Sequence, residues 1–281
     1  MSMSNSTLFL TPLFLVALVT GCTSASDGGA AADSELHRPP SRSWRGHDSG
    51  QLLQDAGPPT QDAGPPAVDS GTSIGALLWS QSFESSSLPS AWSESASYGG
   101  LDVFYAGFGT VGVVNDGSSR ALQLSPMVST SAGETHAALV RTTVTYGDMD
   151  ATVTMQTAAQ LRRGSPPNTW EVGWVLWHMT DDNHFYSFVL KENGWELGKE
   201  DPAYPGAQRY LATSETVHFD PFVPHVVHVV MRGNTMSVDV DGVHIVSATD
   251  TERPYATGSF AFYTEDATVW FDDARVSTPA P

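Results

Sequence analysis

The chain has 281 residues, 13 Lys and Arg against 31 Asp and Glu, and a formal net charge of −18. So acidic a chain excludes nucleic acid as a partner, because holding phosphates takes clustered basic side chains. It also turns attention from polyanionic glycans to neutral polysaccharides or a surface that holds divalent cations. The one cysteine excludes an internal disulfide and thiolate zinc chemistry.

Residues 8–19 form an apolar run interrupted by Pro12, too short to span a bilayer and of the length of a signal-peptide core. The run ends Val19-Thr20-Gly21-Cys22. This resembles a bacterial lipobox, and the resemblance implies a signal peptide over 1–21 and lipidation at Cys22. Thr23 follows the cysteine, with no aspartate there to suggest inner-membrane retention. The expected location is the outer membrane or cell surface, with the Cys22 lipid as the only contact with membrane.

Residues 22–76 are rich in Ala, Ser, Gly, Asp and Pro, and QDAGPP occurs twice, at 54–59 and 61–66. Such a segment buries too little apolar surface to offset the entropy of ordering it, so it reads as an extended, disordered tether. Gly71-Thr72-Ser73-Ile74-Gly75 matches the G-x-S-x-G pattern of a nucleophile elbow. It follows a proline-rich linker and precedes no helix, so the pattern carries no chemistry here.

Residues 77–278 read as one all-β domain. Alternating runs of β-branched and aromatic residues predict strands over 137–144, 151–157, 171–178, 184–190, 225–231, 236–240, 243–247, 259–263 and 268–276. Asn193-Gly194, Gly233-Asn234 and Asp241-Gly242 read as tight hairpin turns, and Asp181-Asp182-Asn183 as a fourth. No amphipathic helix longer than two turns is visible. Many short strands in about 200 residues predict two packed antiparallel sheets, a sandwich or jelly roll.

The stretch 169–201 holds four of the eight tryptophans, Trp170, Trp174, Trp177 and Trp195. Alternation over 170–178 sets Trp170, Val172, Trp174, Leu176 and His178 against Glu171, Gly173, Val175 and Trp177. One set fills a core and the other presents a ligand face. Tryptophan faces beside carboxylates suit sugar stacking, which makes Trp170, Trp174 and Trp195 candidates. His178 and His184 flank the 181–183 turn as a candidate polar site. Residues 195–210 read as a long loop, with Lys199, Tyr204 and Arg209 as further ligand-binding candidates. Glu171, Glu196, Glu200 and Asp201 are the candidate catalytic acids, with charged surface rim as the alternative. His225 and His228, three apart on a strand, face opposite ways and make a poor metal pair.

The end of the chain has a hairpin around Asp241-Gly242, then Pro254-Tyr255, Gly258 through Tyr263-Thr264, and Phe271-Asp272-Asp273 with Val276. With Phe83-Glu84 and Trp92 near the start, this resembles the concanavalin A-like lectin/glucanase superfamily. It is most similar to laminin-G-like and 3-keto-disaccharide hydrolase-like domains of bacterial secreted proteins. The resemblance implies a two-sheet antiparallel jelly roll with Val175 and Trp177 inward and Trp174 and His178 on the outer, concave sheet. It also implies one structural calcium ion held by Glu84 with Asp272 or Asp273. Family 16 glycoside hydrolases of this superfamily carry E-x-D-x-x-E on one strand, and no such string occurs here. Glu265-Asp266 and Asp272-Asp273 are adjacent pairs, expected to split across two faces. The expected function is carbohydrate binding by a monomer. The alternatives are a glycoside or 3-keto-glycoside hydrolase using the candidate acids, and a laminin-G-like adhesion module.

Overall fold

The computed structural model describes residues 75–117 and 119–281. The expected signal peptide, Cys22 and all but the last two residues of the tether lie outside the described residues.

Sixteen strands and no α-helix make up the described residues. In chain order they are β1 (Leu77–Gln81), β2 (Ser97–Tyr98), β3 (Leu101–Tyr105), β4 (Thr110–Asn115), β5 (Arg120–Ser125), β6 (Ala137–Tyr146), β7 (Met149–Gln160) and β8 (Gly173–Asp181). Then follow β9 (His184–Lys191), β10 (Gly194–Glu200), β11 (Gln208–Ser214), β12 (His225–Arg232), β13 (Thr235–Val240), β14 (Val243–Thr249), β15 (Gly258–Glu265) and β16 (Ala267–Ser277). The first sheet runs β14-β13-β12-β7-β16-β5-β4, with β1 also paired to β16; the second runs β11-β10-β9-β8-β15-β6-β3-β2. Every pairing is antiparallel. The architecture is the expected two-sheet jelly-roll sandwich.

Period-two patterning builds the interior. On β7, Met149, Ala151, Val153 and Met155 are buried, and the residues between them are half-exposed. These side chains meet Val175, Trp177, Tyr186 and Phe188 of the second sheet, and Phe262 stacks obliquely on Phe271 across the core at 4.9 Å. Trp177 is fully buried, as expected. Each of the nine predicted strands coincides with an observed one, although 171–178 starts late, at Gly173. Asp241 (φ 52°) and Gly242 (φ 77°) both take the left-handed conformation, the signature of a type I′ turn, which matches strand twist.

Two readings change. Residues 195–210 are not a long loop. Strands β10 and β11 pair with each other there, joined by a single 3₁₀ turn, Pro205–Ala207. Glycines and charges on β10 (GWELGKE) hide its alternation from a reading by hydropathy. The central strands β8 and β9 are also buried on both faces over almost their whole length. A sandwich sheet ordinarily buries one face and turns polar residues outward on the other.

Candidate functional site

The second covering layer is on the outer face of the second sheet. Trp174, Leu176, Met179, Phe185, Val189, Leu139 and Ala261 form an apolar cluster separate from the main core, with Phe104, Tyr105 and Tyr263 packed against it. Strand register arranges this face in rows. One row crosses from β11 to β3: Tyr210, Gly198, Ser187, Leu176, Ala261, Arg141, Asp102. Its middle is small, and a Cβ at Gly198 would stand 2.9 Å from the Ser187 Oγ. The next row is bulky: Glu196, Val189, Trp174, Tyr263, Leu139, Tyr105. Large rings beside small residues close over the row, so Leu176 and Ala261 are fully buried on an outward face.

Two aromatic rings remain open to solvent on this side, Trp170 at 42 % and Tyr210 at 51 % exposure. Trp170 is fixed by its backbone, whose carbonyl accepts the Trp174 Nε1 at 2.8 Å. Trp174 itself packs edge-on against Tyr263 at 5.2 Å.

Two carboxylates share this environment. Glu265 Oε1 accepts the Tyr263 hydroxyl at 2.6 Å. Burial raises the Glu265 carboxyl above the usual range, Asp266 and Glu171 add to the rise, and the Tyr263 hydroxyl and the Trp170 side chain oppose it. Glu200 is pushed up to about 7, by burial first and then by the negative charge of Glu265. Tyr210 is raised by burial and by Glu196 and Glu200. Glu200 is therefore partly protonated near neutrality. Glu265 was not among the expected acids. Its adjacency to Asp266 was legible, and the pair does split: Glu265 faces the outer layer and Asp266 is buried.

The other expected site residues disperse. Trp195 faces the main core, tilted against Phe188 at 5.9 Å, because β10 alternates from Leu197 inward and Glu196 outward. Glu171 precedes β8 rather than lying on it. It is a fully buried ion-pair partner, 2.5 Å from Arg162 Nε, whose Nη2 reaches Asp266 at 2.6 Å. It is thus neither an accessible acid nor a solvated rim charge. His178 also leaves the outer layer. A register shift in β8 and a φ of 49° turn the ring so that its nitrogens face the carbonyls of Tyr255 (2.7 Å) and Gly147 (2.8 Å). His184 pairs with Asp181 at 2.7 Å on the turn. Glu196 does lie on the outer face and pairs with Lys191.

Lys199, Asp201, Tyr204 and Arg209 converge on a charge network. Lys199 points between the sheets and is fully buried. Its ammonium meets Asp250 and the carbonyls of Glu252 and Arg253, each at 2.7 Å, and lies 4.5 Å from the centre of the Tyr255 ring. Asp201 takes Arg253 Nε at 3.2 Å and the Ala203 amide at 2.9 Å. Arg209 donates to the Tyr204 hydroxyl at 3.1 Å, and that hydroxyl donates to Glu252 at 3.0 Å. Burial would raise the Asp250 carboxyl, but Lys199, the Glu252 amide and the Tyr186 hydroxyl hold it below its usual value. The network clamps the β10–β11 turn to residues 250–255. His225 and His228 have separate partners, Asp241 at 2.7 Å and Asp150 at 2.9 Å.

The expected calcium ligands, Glu84, Asp272 and Asp273, accept hydrogen bonds from their neighbours or lie beside them. Ca²⁺ needs six to eight oxygens from carboxylates and carbonyls. Glu84 Oε1 accepts the Arg120 amide at 3.0 Å, and the Arg120 guanidinium donates to the carbonyls of Glu84 (3.4 Å), Ser85 and Leu88 (2.8 Å). Asp272 accepts Ser119 Oγ at 3.0 Å and the Asp273 amide at 2.8 Å. A φ of 47° at Asp273 and a bulge in β16 bring both aspartates onto one cavity of about 230 Å³, instead of splitting them. Among the described residues no three of His, Cys, Asp and Glu gather in a metal-binding group. Burial raises the Asp272 carboxyl, with the charges of Asp273 and Glu84 adding to the rise, and Arg120 supplies positive charge at this seam.

No protein-family model and no curated protein matches the chain. Among solved structures it is similar to a carbohydrate-binding module from Bacillus subtilis, at 12 % identity and a TM-score of 0.47, over 64 % of this chain and 96 % of that one. It is also similar to a GH16 protein of Bacteroides ovatus in complex with a mixed-linkage glucan product, at 10 % identity and a TM-score of 0.47, over 71 % and 100 % of the two chains. A Bacillus subtilis protein of unknown function with a galectin-like fold matches at 11 % identity and a TM-score of 0.46, over 73 % and 96 %.

Proposed function

We propose that the jelly roll binds a neutral carbohydrate on the outer face of its second sheet, with Trp170 and Tyr210 as the stacking rings. The observation that supports this most directly is the covering layer itself. It is an aromatic outward face, with two rings open to solvent and three carboxylates, Glu196, Glu200 and Glu265, among them. A sugar ring offers apolar C–H faces and a belt of hydroxyls, and this combination of rings and acceptors meets both. Titration of the full chain by calorimetry with neutral β-glucan, xylan and arabinan oligosaccharides tests the reading. Binding to at least one of them, weakened about tenfold or roughly 1.4 kcal/mol by Trp170→Ala, is expected. Absence of binding to all of them, with a protein captured on the same face, would favour the adhesion-module reading.

A second reading is favoured by Glu200. A carboxyl raised to about 7 is what a general acid in glycoside hydrolysis requires, and Glu265 is a second acid on the same face. In that reading Glu200→Gln abolishes product release while binding persists. Release of no product from any bound oligosaccharide leaves the binding module.

The lipobox-like run Val19-Thr20-Gly21-Cys22 supports a further part of the proposal: a lipid at Cys22 displays the domain at the cell surface. Labelling with a fatty-acid analogue that is lost in Cys22→Ser is the expected result.

A further inference from the structure

The β11-to-β3 row on the outer face ends at β6 and β3 in a polar cleft of about 250 Å³, far from the exposed tryptophan in register. Asp102 and Arg141 are cross-strand neighbours there, and Thr145, Thr180 and Ser259 are among the other lining residues. The Arg141 guanidinium lies 4.7 Å from the centre of the Phe104 ring and donates one long hydrogen bond, from Nη1 to the Thr180 carbonyl at 3.4 Å. It makes no ion pair among the described residues. Asp102 does not neutralise it either; its Oδ1 accepts the Ser97 hydroxyl. The Phe104 ring packs beside the guanidinium, and its remaining N–H groups are free to donate as a planar fork.

We propose that this cleft is a specificity subsite for a vicinal diol of the bound glycan, resting on the reading that the outer face binds carbohydrate. A hydroxyl donates one hydrogen and accepts others. Arg141 offers only donors, and the Asp102 carboxylate only acceptors. Two adjacent sugar hydroxyls satisfy both at once, one donating to Asp102 and the other accepting from Arg141. The threonine and serine hydroxyls serve either role. An anionic substituent fits less well, because Asp102 is in the same cleft. A site built this way rejects an epimer that turns one hydroxyl away, since a donor or acceptor covered by the bound glycan is then left unmet.

The test measures affinity of the full chain for gluco-, manno- and galacto-configured oligosaccharides of equal length. Arg141→Lys and Asp102→Asn are made singly, beside Trp170→Ala, and melting is checked for each. Expected is a loss of tenfold or more for the preferred epimer in both cleft variants, collapse of the epimer ratio, and retained melting temperature. Trp170→Ala lowers all affinities and keeps the ratio. If wild type binds and both cleft variants keep affinity and epimer ratio within twofold, the subsite is wrong and the carbohydrate reading stands. If wild type binds none of the sugars, both fall.

Discussion

Tyr263 donates its hydroxyl to Glu265 at 2.6 Å from two residues earlier on the same strand. Donor and acceptor share a face because of that spacing. The bond holds one acid of the outer face in place, and the charge of that acid helps raise the Glu200 carboxyl.

The first prediction follows from Glu200. Its folded pKa of about 7 lies above the roughly 4.3 of an unfolded glutamate. A raised carboxyl contributes its full stability below the unfolded value and loses it as pH rises through the folded one. Wild type is therefore expected to lose melting temperature between about pH 4.3 and 8. Glu200→Gln should flatten that decline and melt at or above wild type at pH 8. Parallel melting curves for the two proteins across this range would refute the coupling.

The tryptophans should separate by location. Trp195 and Trp177 are in the main core, so replacing either with Ala is expected to cost about 3–5 kcal/mol in denaturant unfolding. Trp170→Ala, at an exposed position, should change glycan affinity with melting nearly unmoved. A reversed ranking of stability losses would mean that the assignment of inner and outer faces is wrong.

Lys199 and Asp250 are both fully buried and 2.7 Å apart. Removing one partner leaves an uncompensated charge, so Asp250→Ala is expected to destabilise by about 3–5 kcal/mol. Asp250 is depressed in the fold, so its stabilisation is present above the unfolded carboxylate range and is lost as pH falls through its lower folded value. Acid titration of the Asp250→Asn variant should show a shallower loss below about pH 4. A variant as acid-labile as wild type would exclude Asp250 as a source of that loss.

At the seam between β1, β5 and β16, Arg120 already satisfies the carbonyls of Ser85 and Leu88. Melting is expected to be indifferent to chelator and to added calcium, whereas Arg120→Ala lowers it. A chelator-induced drop of several degrees would show that a metal ion does bind there.

The sandwich was legible because period-two alternation needs only local sequence. Met149, Ala151, Val153 and Met155 announce a buried face whatever they meet. The I′ turn at Asp241-Gly242 was equally local, set by two residues that tolerate positive φ. The site was less legible. His178 was expected outward from the family resemblance, but one bulge turned it to two carbonyls. Trp195 was expected at the ligand, but the strand character of β10 was masked by its glycines and charges. Glu265 was seen only as half of an adjacent pair, because Tyr263 and Trp170 mark it only after folding brings them to it.

The sequence by itself determined the class of fold, the strands and most turns, because those follow from side-chain periodicity and backbone preference over a few residues. Only the tertiary structure decided which acids matter. Glu171, Asp201 and Asp250 became ion-pair partners in the interior, while Glu200 and Glu265 came to share one face. The physical reason is that a carboxyl takes its proton affinity from its surroundings, from burial and from neighbours on other strands. Those surroundings exist only once distant segments have paired.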